Sequence, residues 1–408
     1  MTPQCPGARA SGAETEVLDF PLPQPGTMGP PEKCAQLRRS CPMARVRMPM
    51  DATAWYATRY EDVRELFADP RLIRPSISDW PSRPGQGTAE DGPRLVTIAE
   101  LDGPRHAALR RALAQPFSSR SVRSHLPRIR RLAEHLLEAF QERGSPGDLV
   151  AGFTEPFPLL VMCDLVGIPF EDRDRFLPLL DAALGGMVTA EEGHRLTVLL
   201  GEYMAGLIAR KRKRPGEDVL TRLIRAGDDG ALTPDDVMAF GLSMLTVGFG
   251  ISSFCLADSV HTLLHGPDQW AQLRDHRELM PGAVEECLRF MPVMNGTVIL
   301  LATEDFDVHG QTVRTGDAVI PVPASANRDE RVFADADRLD LRRTANGHLA
   351  FGRGTHNCLG AHLARAEVTV GLEALLDRFP RLHPAEGQEP LWDDESVTKS
   401  PLSLPVSW

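Results

Sequence analysis

The sequence predicts a mainly α fold with a small β region, on three observations. Residues 124–142 and 196–214 carry apolar side chains at helical spacing, the pattern of helices with one face on a core. Val237 to Ala257 is an uncharged stretch of helix length behind Thr233-Pro234-Asp235-Asp236. That opening offers Thr as N-cap, Pro in the first turn and acids against the helix dipole. From Val298 to Val322, short β-branched runs alternate with turns such as His309-Gly310 and Thr315-Gly316, which predicts hairpins. No repeat and no second domain is visible. The expectation is an irregular N-terminal arm over 1–45 and a single domain over 46–408.

Composition narrows the function classes. The net charge of −11 over 408 residues disfavours nucleic acid as the main partner. Seven cysteines are scattered without a CxxC pair, the usage of a reducing compartment. Met1 to Val17 is polar and lacks the apolar core of a signal peptide. Val237–Ala257 is long enough to span a bilayer, but it contains Gly241, Gly248, Gly250 and several hydroxyls. Its flanks are acidic (Asp235, Asp236, Asp258), without basic or aromatic anchors. The expectation is a core helix from Thr233 to about Leu264, no membrane span and a cytoplasmic protein.

Along the chain, Trp55 to Thr58 reads as a short strand and Arg59-Tyr60-Glu61-Asp62 as a helix start that ends by Asp69-Pro70. Residues 75–94 hold Pro75, Pro81, Pro84, Gly85, Gly87, Gly92 and Pro93. So long a connection is read as a lid over a pocket. After Gly103-Pro104, His106 and Arg110 stand four apart on one helix face, a donor pair suited to an anion or else a solvated basic face. Pro156-Phe157-Pro158 and Gly167-Ile168-Pro169-Phe170 punctuate further helices, and Gly185-Gly186 reads as a hinge. The basic run Arg210 to Arg214 precedes Pro215-Gly216 and reads as a solvated helix cap.

The chemistry concentrates in Phe351-Gly352-Arg353-Gly354-Thr355-His356-Asn357-Cys358-Leu359-Gly360, ahead of a helix-like run from Ala361 to Leu376. A helix N-terminus lowers a thiol's pKa, and glycines let backbone N–H groups approach sulfur. The decapeptide resembles the haem-thiolate signature of the cytochrome P450 family. The resemblance implies that Cys358 is the axial ligand of a haem b iron, a ligand that favours O–O cleavage. It also implies a haem between the long core helix and the Cys loop. Phe351, His356, Gly360 and Gly248 would line the haem, and His106 with Arg110 would bind a propionate. Glu286-Cys287-Leu288-Arg289 resembles the family's ExxR motif, with Arg338 as the expected third member. Ala326-Asn327-Arg328-Asp329 also resembles the family.

Two positions depart from the family's pattern. The family's core helix carries Ala-Gly-x-(Asp or Glu)-Thr, and the matching residues here are Val247, Gly248, Phe249, Gly250 and Ile251. The acid has become Gly250 and the alcohol Ile251; a shift of one register puts Ser252 at the alcohol. Reductive cleavage of O₂ needs protons, a general-acid task. Ser252, a water or the substrate must then supply them. In the strand Leu300 to Asp305, Leu300 replaces an Arg that pairs with a propionate. Arg105, Arg111 or a hydroxyl is expected to compensate.

The resemblance implies an O₂-dependent oxidoreductase of secondary metabolism. Small-molecule substrate contacts are expected from Val247, Ile251, Met294, Thr297, Val397 and Thr398, with the lid and residues near Met187. No flavin or nicotinamide motif is present, so electrons are expected from ferredoxin and ferredoxin reductase. Arg105, Arg111, Arg353 and Arg365 offer that donor positive charge. A monomer is expected. Three functions compete: oxidative C–C or C–N coupling of a compact aromatic substrate such as a cyclic dipeptide, hydroxylation of a small apolar metabolite, and haem sensing without turnover. The missing acid–alcohol pair favours the first.

Overall fold

The computed structural model describes residues 17–24, 29–48, 52–74, 97–184, 190–248, 250–266, 268–290, 298–392 and 398–408. The chain opens with strand β1 (Leu18–Asp19), helix α1 (Glu32–Ser40) and strands β2 (Met43–Arg47) and β3 (Thr53–Ala57). Helix α2 (Tyr60–Leu66) and strand β4 (Leu72–Ile73) follow. The middle is helical: α3 (Gly103–Ala114), α4 (Ser119–Glu142), α5 (Pro156–Val166), α6 (Arg173–Leu184), α7 (Ala190–Lys213), α8 (Val219–Asp228), α9 (Pro234–Val247) and α10 (Gly250–His265), with strand β5 (Gly147–Asp148) after α4. Then come α11 (Gln269–Asp275), α12 (Met280–Phe290) and strands β6 (Leu300–Ala302), β7 (Phe306–Val308), β8 (Gln311–Val313) and β9 (Ala318–Pro321). Helices α13 (Pro323–Ala326) and α14 (Ala361–Arg378) precede β10 (His383–Pro384), β11 (Leu391–Trp392), β12 (Pro401–Ser403) and β13 (Pro405–Ser407).

These elements form two compact units. The first comprises residues 1–83, 261–358 and 392–402. Its six-stranded sheet has the order β1-β2-β3-β9-β6-β4. Alternation along β3 sends Trp55 and Ala57 into one apolar cluster with Leu300, Val313 and Val319, and Ala54 and Tyr56 into another with Leu37, Val46 and Ile320. Hairpin β7–β8 turns through His309 and Gly310, at φ 50° and 74°, the left-handed geometry that two-residue hairpin turns need.

The stretch expected to be an irregular arm contains α1. Glu32 stands in its first turn and Arg38 and Arg39 in its last, and Cys34 and Leu37 are buried. Burial three apart outweighs the flanking prolines Pro30 and Pro31.

The second unit comprises residues 84–260, 359–391 and 403–408. Ser118 caps α4 by accepting from the Ser121 amide, and Phe140 near its end packs edge-on to Phe379 and tilted on Trp408. A Cβ on Gly371 of α14 would stand 2.9 Å from the Leu256 side chain of α10, so the two helices pack closely there. The basic end of α7 is not simply solvated. Lys211 bonds Asp218 at 2.6 Å, Arg210 bonds Asp172 at 2.9 Å and Arg212 bonds Asp228 at 3.0 Å.

The expected core helix starts as predicted. Thr233 and Asp236 form a reciprocal capping box and Pro234 lies in the first turn. The most apolar 18-residue window of Pro234–His265 has mean hydropathy 1.7, and 67% of it is buried inside the protein, as a core helix requires. The described residues of this span are α9 up to Val247 and α10 from Gly250, and Gly248 keeps right-handed helical backbone angles, φ −75° and ψ −35°. The expected lid over 75–94 and the hinge at Gly185-Gly186 lie outside the described residues.

Candidate functional site

The cysteine loop belongs to the first unit. Cys358 is exposed, whereas the other described cysteines are buried or half-buried. Burial pushes the Cys34 thiol up to about 11 and the Cys163 thiol up to about 12, which keeps both protonated and inert. The loop is held by its own backbone. The Cys358 amide donates to the Phe351 carbonyl at 2.9 Å and the Asn357 amide to Gly354 at 3.1 Å. The Asn357 side chain donates to the carbonyls of Phe351 and Gly352, both at 3.3 Å. Gly354 sits at φ +75°, and a Cβ there would lie 2.6 Å from the Phe67 carbonyl oxygen. Only glycine fits that position.

The glycine turns present an exposed soft donor at the end of a rigid loop, three residues ahead of α14. This chemistry fits a haem iron, whose thiolate ligand needs an open side and a fixed sulfur. Phe351 and His356 are half-buried, and Gly360 is the residue that caps α14. Phe351 packs its ring 5.8 Å from His348, which bonds Glu285 at 3.1 Å.

A buried ionic network supports this unit. Glu286 and Arg289 of α12 are fully buried and joined by two bonds of 2.8 Å. The expected third member was Arg338; the structure corrects this to Arg343. Arg343 Nε reaches both Glu286 oxygens at 3.2 and 3.0 Å. Arg338 contributes only its backbone carbonyl, to Arg289 Nη2 at 3.3 Å. Asn346 also donates to Glu286, at 3.0 Å. Arg289 donates to the Asn327 carbonyl at 2.7 Å, and the Asn327 side chain receives the Leu349 amide at 2.7 Å. The network thereby fixes the strand of chain that leads into the Cys loop. Arg343, Asn346 and His348 were missed because the sequence offers several residues ahead of the Cys loop, and the third member was placed at Arg338, five residues short of the one that reaches Glu286.

The second unit holds the remaining site residues. Helix α3 begins at Gly103, with Pro104 in its first turn. His106 is buried and Arg110, one turn on, is half-buried. Arg105 is not a spare cation: its Nε bonds Asp236 Oδ1 at 2.5 Å. In the first unit, Leu300 itself is buried in the apolar cluster with Val319 and Trp55.

At the α9–α10 junction, Gly250 and Gly248 differ. A Cβ on Gly250 would meet nothing within 4 Å, whereas one on Gly248 would stand 2.9 Å from the Met162 side chain. Gly250 therefore faces open space and Gly248 permits close packing. Ile251 is half-buried and Ser252 is buried. Of the expected substrate contacts, Thr398 is half-buried; Met294, Thr297 and Val397, with Met187, lie outside the described residues, as does the Val247 side chain.

Glu367 of α14 was not singled out by the sequence. It is 1% exposed, and among the described residues no partner meets hydrogen-bond distance and angle for either carboxyl oxygen. Burial pushes its carboxyl up to about 8, partly offset by the nearby Ser252 hydroxyl. Acidic residues on helices are common, so only burial marks this one.

A family model described as Cytochrome P450 matches residues 256–406. Nocardicin C N-oxygenase of Nocardia uniformis subsp. tsuyamanensis is 40% identical over 397 residues, covering 97% of this chain and 99% of that protein. Mycinamicin IV hydroxylase/epoxidase of Micromonospora griseorubida is 38% identical over 378 residues, covering 91% and 94%. Among solved structures, the LnmA P450 hydroxylase of Streptomyces atroolivaceus superposes with a TM-score of 0.85 at 38% identity. SgvP, a proposed thioether synthase in griseoviridin tailoring, superposes with a TM-score of 0.89 at 34% identity. Each covers 96% of this chain and 100% of the neighbour. These matches define a haem oxidoreductase. The chain belongs to the cytochrome P450 family, and its cofactor is haem b.

Proposed function

We propose that this protein is a cytoplasmic, single-domain haem-thiolate monooxygenase that tailors a secondary metabolite by oxygen insertion. The observation that carries the reading is Cys358, an exposed thiol on a glycine-fixed loop ahead of a helix. When bound, the haem supplies reductive activation of O₂. In this reading Cys358 ligates the iron, His106 and Arg110 bind a propionate, and Phe351, His356, Gly360 and Gly248 flank the cofactor. Ile251 offers the substrate an apolar wall, and Thr398 with Val247, Met294, Thr297 and Val397 lines its pocket. Electrons come singly from ferredoxin and ferredoxin reductase.

Oxygen insertion is favoured because the quoted relatives are named as an N-oxygenase and a hydroxylase/epoxidase. The test is NADPH consumption with a surrogate ferredoxin pair and O₂, followed by product mass. A gain of one oxygen is the expected result. No NADPH consumption above background would turn the reading toward a haem sensor.

A second reading is oxidative coupling of an aromatic substrate, which removes hydrogens and joins two rings or molecules. Two observations favour it: the acid–alcohol positions are Gly250 and Ile251, and Gly250 opens onto free space. A neighbour proposed to form a thioether adds support. Here the substrate's own N–H or O–H serves as proton donor. Installing the pair (Gly250→Glu with Ile251→Thr) would divert flux from coupling to oxygen insertion or peroxide.

A further inference from the structure

Helix α10 ends in a histidine pair that the proposed chemistry leaves unused. His261 and His265 stand four apart, so both lie on one helix face, and both belong to the first compact unit. Their ring centroids are 4.0 Å apart and the rings are tilted by 35°. Trp392, in the same unit, meets the His261 ring at 5.1 Å and 81° and holds it from the side. His265 is exposed, and its Nδ1 lies 2.8 Å from the His261 carbonyl oxygen. A carbonyl only accepts, so Nδ1 carries the proton and Nε2 keeps its lone pair. Nδ1 of His261 is buried without a partner among the described residues, which leaves Nε2 as the nitrogen open to a ligand.

Three features suit a metal ion. Protons on both rings would set two imidazolium charges side by side, whereas one metal ion shared by two lone pairs makes a bond with each ring. Burial, then His265, already holds His261 neutral down to about 4. The bond from His265 Nδ1 to a backbone carbonyl is the outer contact that orients metal-ligating histidines. The pair also closes a helix of 16 residues, where the dipole favours a cation, and Asp268 follows, exposed, three residues on.

We propose that His261 and His265 form a two-histidine site for a divalent transition-metal ion, Cu²⁺ or Zn²⁺, at the C-terminal end of α10. Among the described residues no third His, Cys, Asp or Glu joins the pair, so water completes the coordination. Imidazole donors select Cu²⁺ or Zn²⁺ over Mg²⁺ and Ca²⁺, which take oxygen ligands. Metal binding here is independent of the haem-thiolate reading.

The test is titration of the chelator-treated holoenzyme with ZnCl₂ against a chromophoric competitor, and with CuCl₂ followed by electron paramagnetic resonance. Losing only an outer partner of a ligand costs roughly 10–100-fold in metal affinity. His265→Gln, which removes a ligand itself, should therefore weaken binding by at least about tenfold, and His261→Asn should do the same. His276→Gln, at an exposed histidine beside Glu278, should leave the affinity unchanged. The Cu²⁺ spectrum should show splitting from two nitrogens in wild type and from one in His265→Gln. His265 is exposed, so its replacement tests the site even where His261→Asn does not fold; a melt of the same sample checks it. Affinity indifferent to His265→Gln, or lost equally in His276→Gln, would mean an adventitious ion elsewhere on the surface and would overturn the site.

Discussion

Arg343 completes a buried ionic triad by reaching both oxygens of Glu286 from 57 residues away, while Glu286 is already doubly bonded to Arg289. Removing Arg343 leaves Glu286 paired with Arg289 but takes away charge-assisted hydrogen bonds at a buried site, worth about 1.5–3 kcal/mol each. Arg343→Ala should therefore lower unfolding stability by that order. Arg338→Ala should stay within about 0.5 kcal/mol, because only its carbonyl is used. Denaturant melts of the two variants check this. Equal losses would return Arg338 to the triad.

Cys358→Ser should abolish the thiolate-type red-shifted band of the reduced CO complex. The loop itself should survive, because serine keeps the amide that donates to the Phe351 carbonyl, and the Asn357 side chain still ties Phe351 and Gly352. The checks are the reduced CO spectrum and a melt on the same sample. Persistence of the red-shifted band would remove Cys358 as the ligand.

The parts of this fold legible in the sequence are those set by neighbours in the chain. Thr233-Pro234-Asp235-Asp236 specifies a capping box locally, and α9 begins there. His309-Gly310 specifies a hairpin turn, and β7–β8 turn there. The Cys loop was readable because its glycines and cysteine lie within ten residues. Arg343 was not, because its role comes from packing against Glu286, 57 positions away, and the burial of Glu367 likewise exists only in the folded packing of α14. Helix α1 was missed for the same reason: its buried face exists only once the sheet is assembled.

Haem retention should depend on His106 and Arg110 more than on Arg105. Leu300 is buried in an apolar cluster and offers no donor. Arg105 is held by Asp236. His106→Ala with Arg110→Ala should lower haem content per chain several-fold, while Arg105→Ala should leave it near wild type. The absorbance ratio of haem to protein after gel filtration reads both. Loss of haem in Arg105→Ala alone would mean that its ion pair with Asp236 opens in the holoenzyme.

Glu367 should make stability depend on pH on the neutral side. The unfolded chain releases its proton near the ordinary 4.5, the folded one only near 8. Between those values the folded state holds the extra proton, so stability falls as pH rises, by at most about 1.4 kcal/mol per pH unit. Above about 8 the loss levels off. His261 acts on the other side: burial, then His265, holds it neutral down to about 4, so its cost appears as pH falls from 6.5. Glu367→Gln should gain on wild type across the window from 4.5 to about 8 and run parallel above it. Melting temperatures in matched buffers check this; a constant offset would mean that Glu367 does not titrate in that range.

Restoring the acid–alcohol pair tests which reaction the core helix supports. A Cβ placed on Gly250 would have nothing within 4 Å, so a glutamate there fits. Replacing a helical glycine gains about 0.5–1 kcal/mol. Gly250→Glu with Ile251→Thr should therefore fold at least as stably as wild type. In the oxygen-insertion reading the restored pair supplies protons. Peroxide released per NADPH consumed should then fall, with a surrogate ferredoxin pair as electron source. In the coupling reading the double mutant should lose coupled product and gain oxygen insertion or peroxide. Peroxide yield and product mass from wild type and double mutant separate the two readings. Unchanged output on both counts would mean that positions 250 and 251 do not set the chemistry of the core helix.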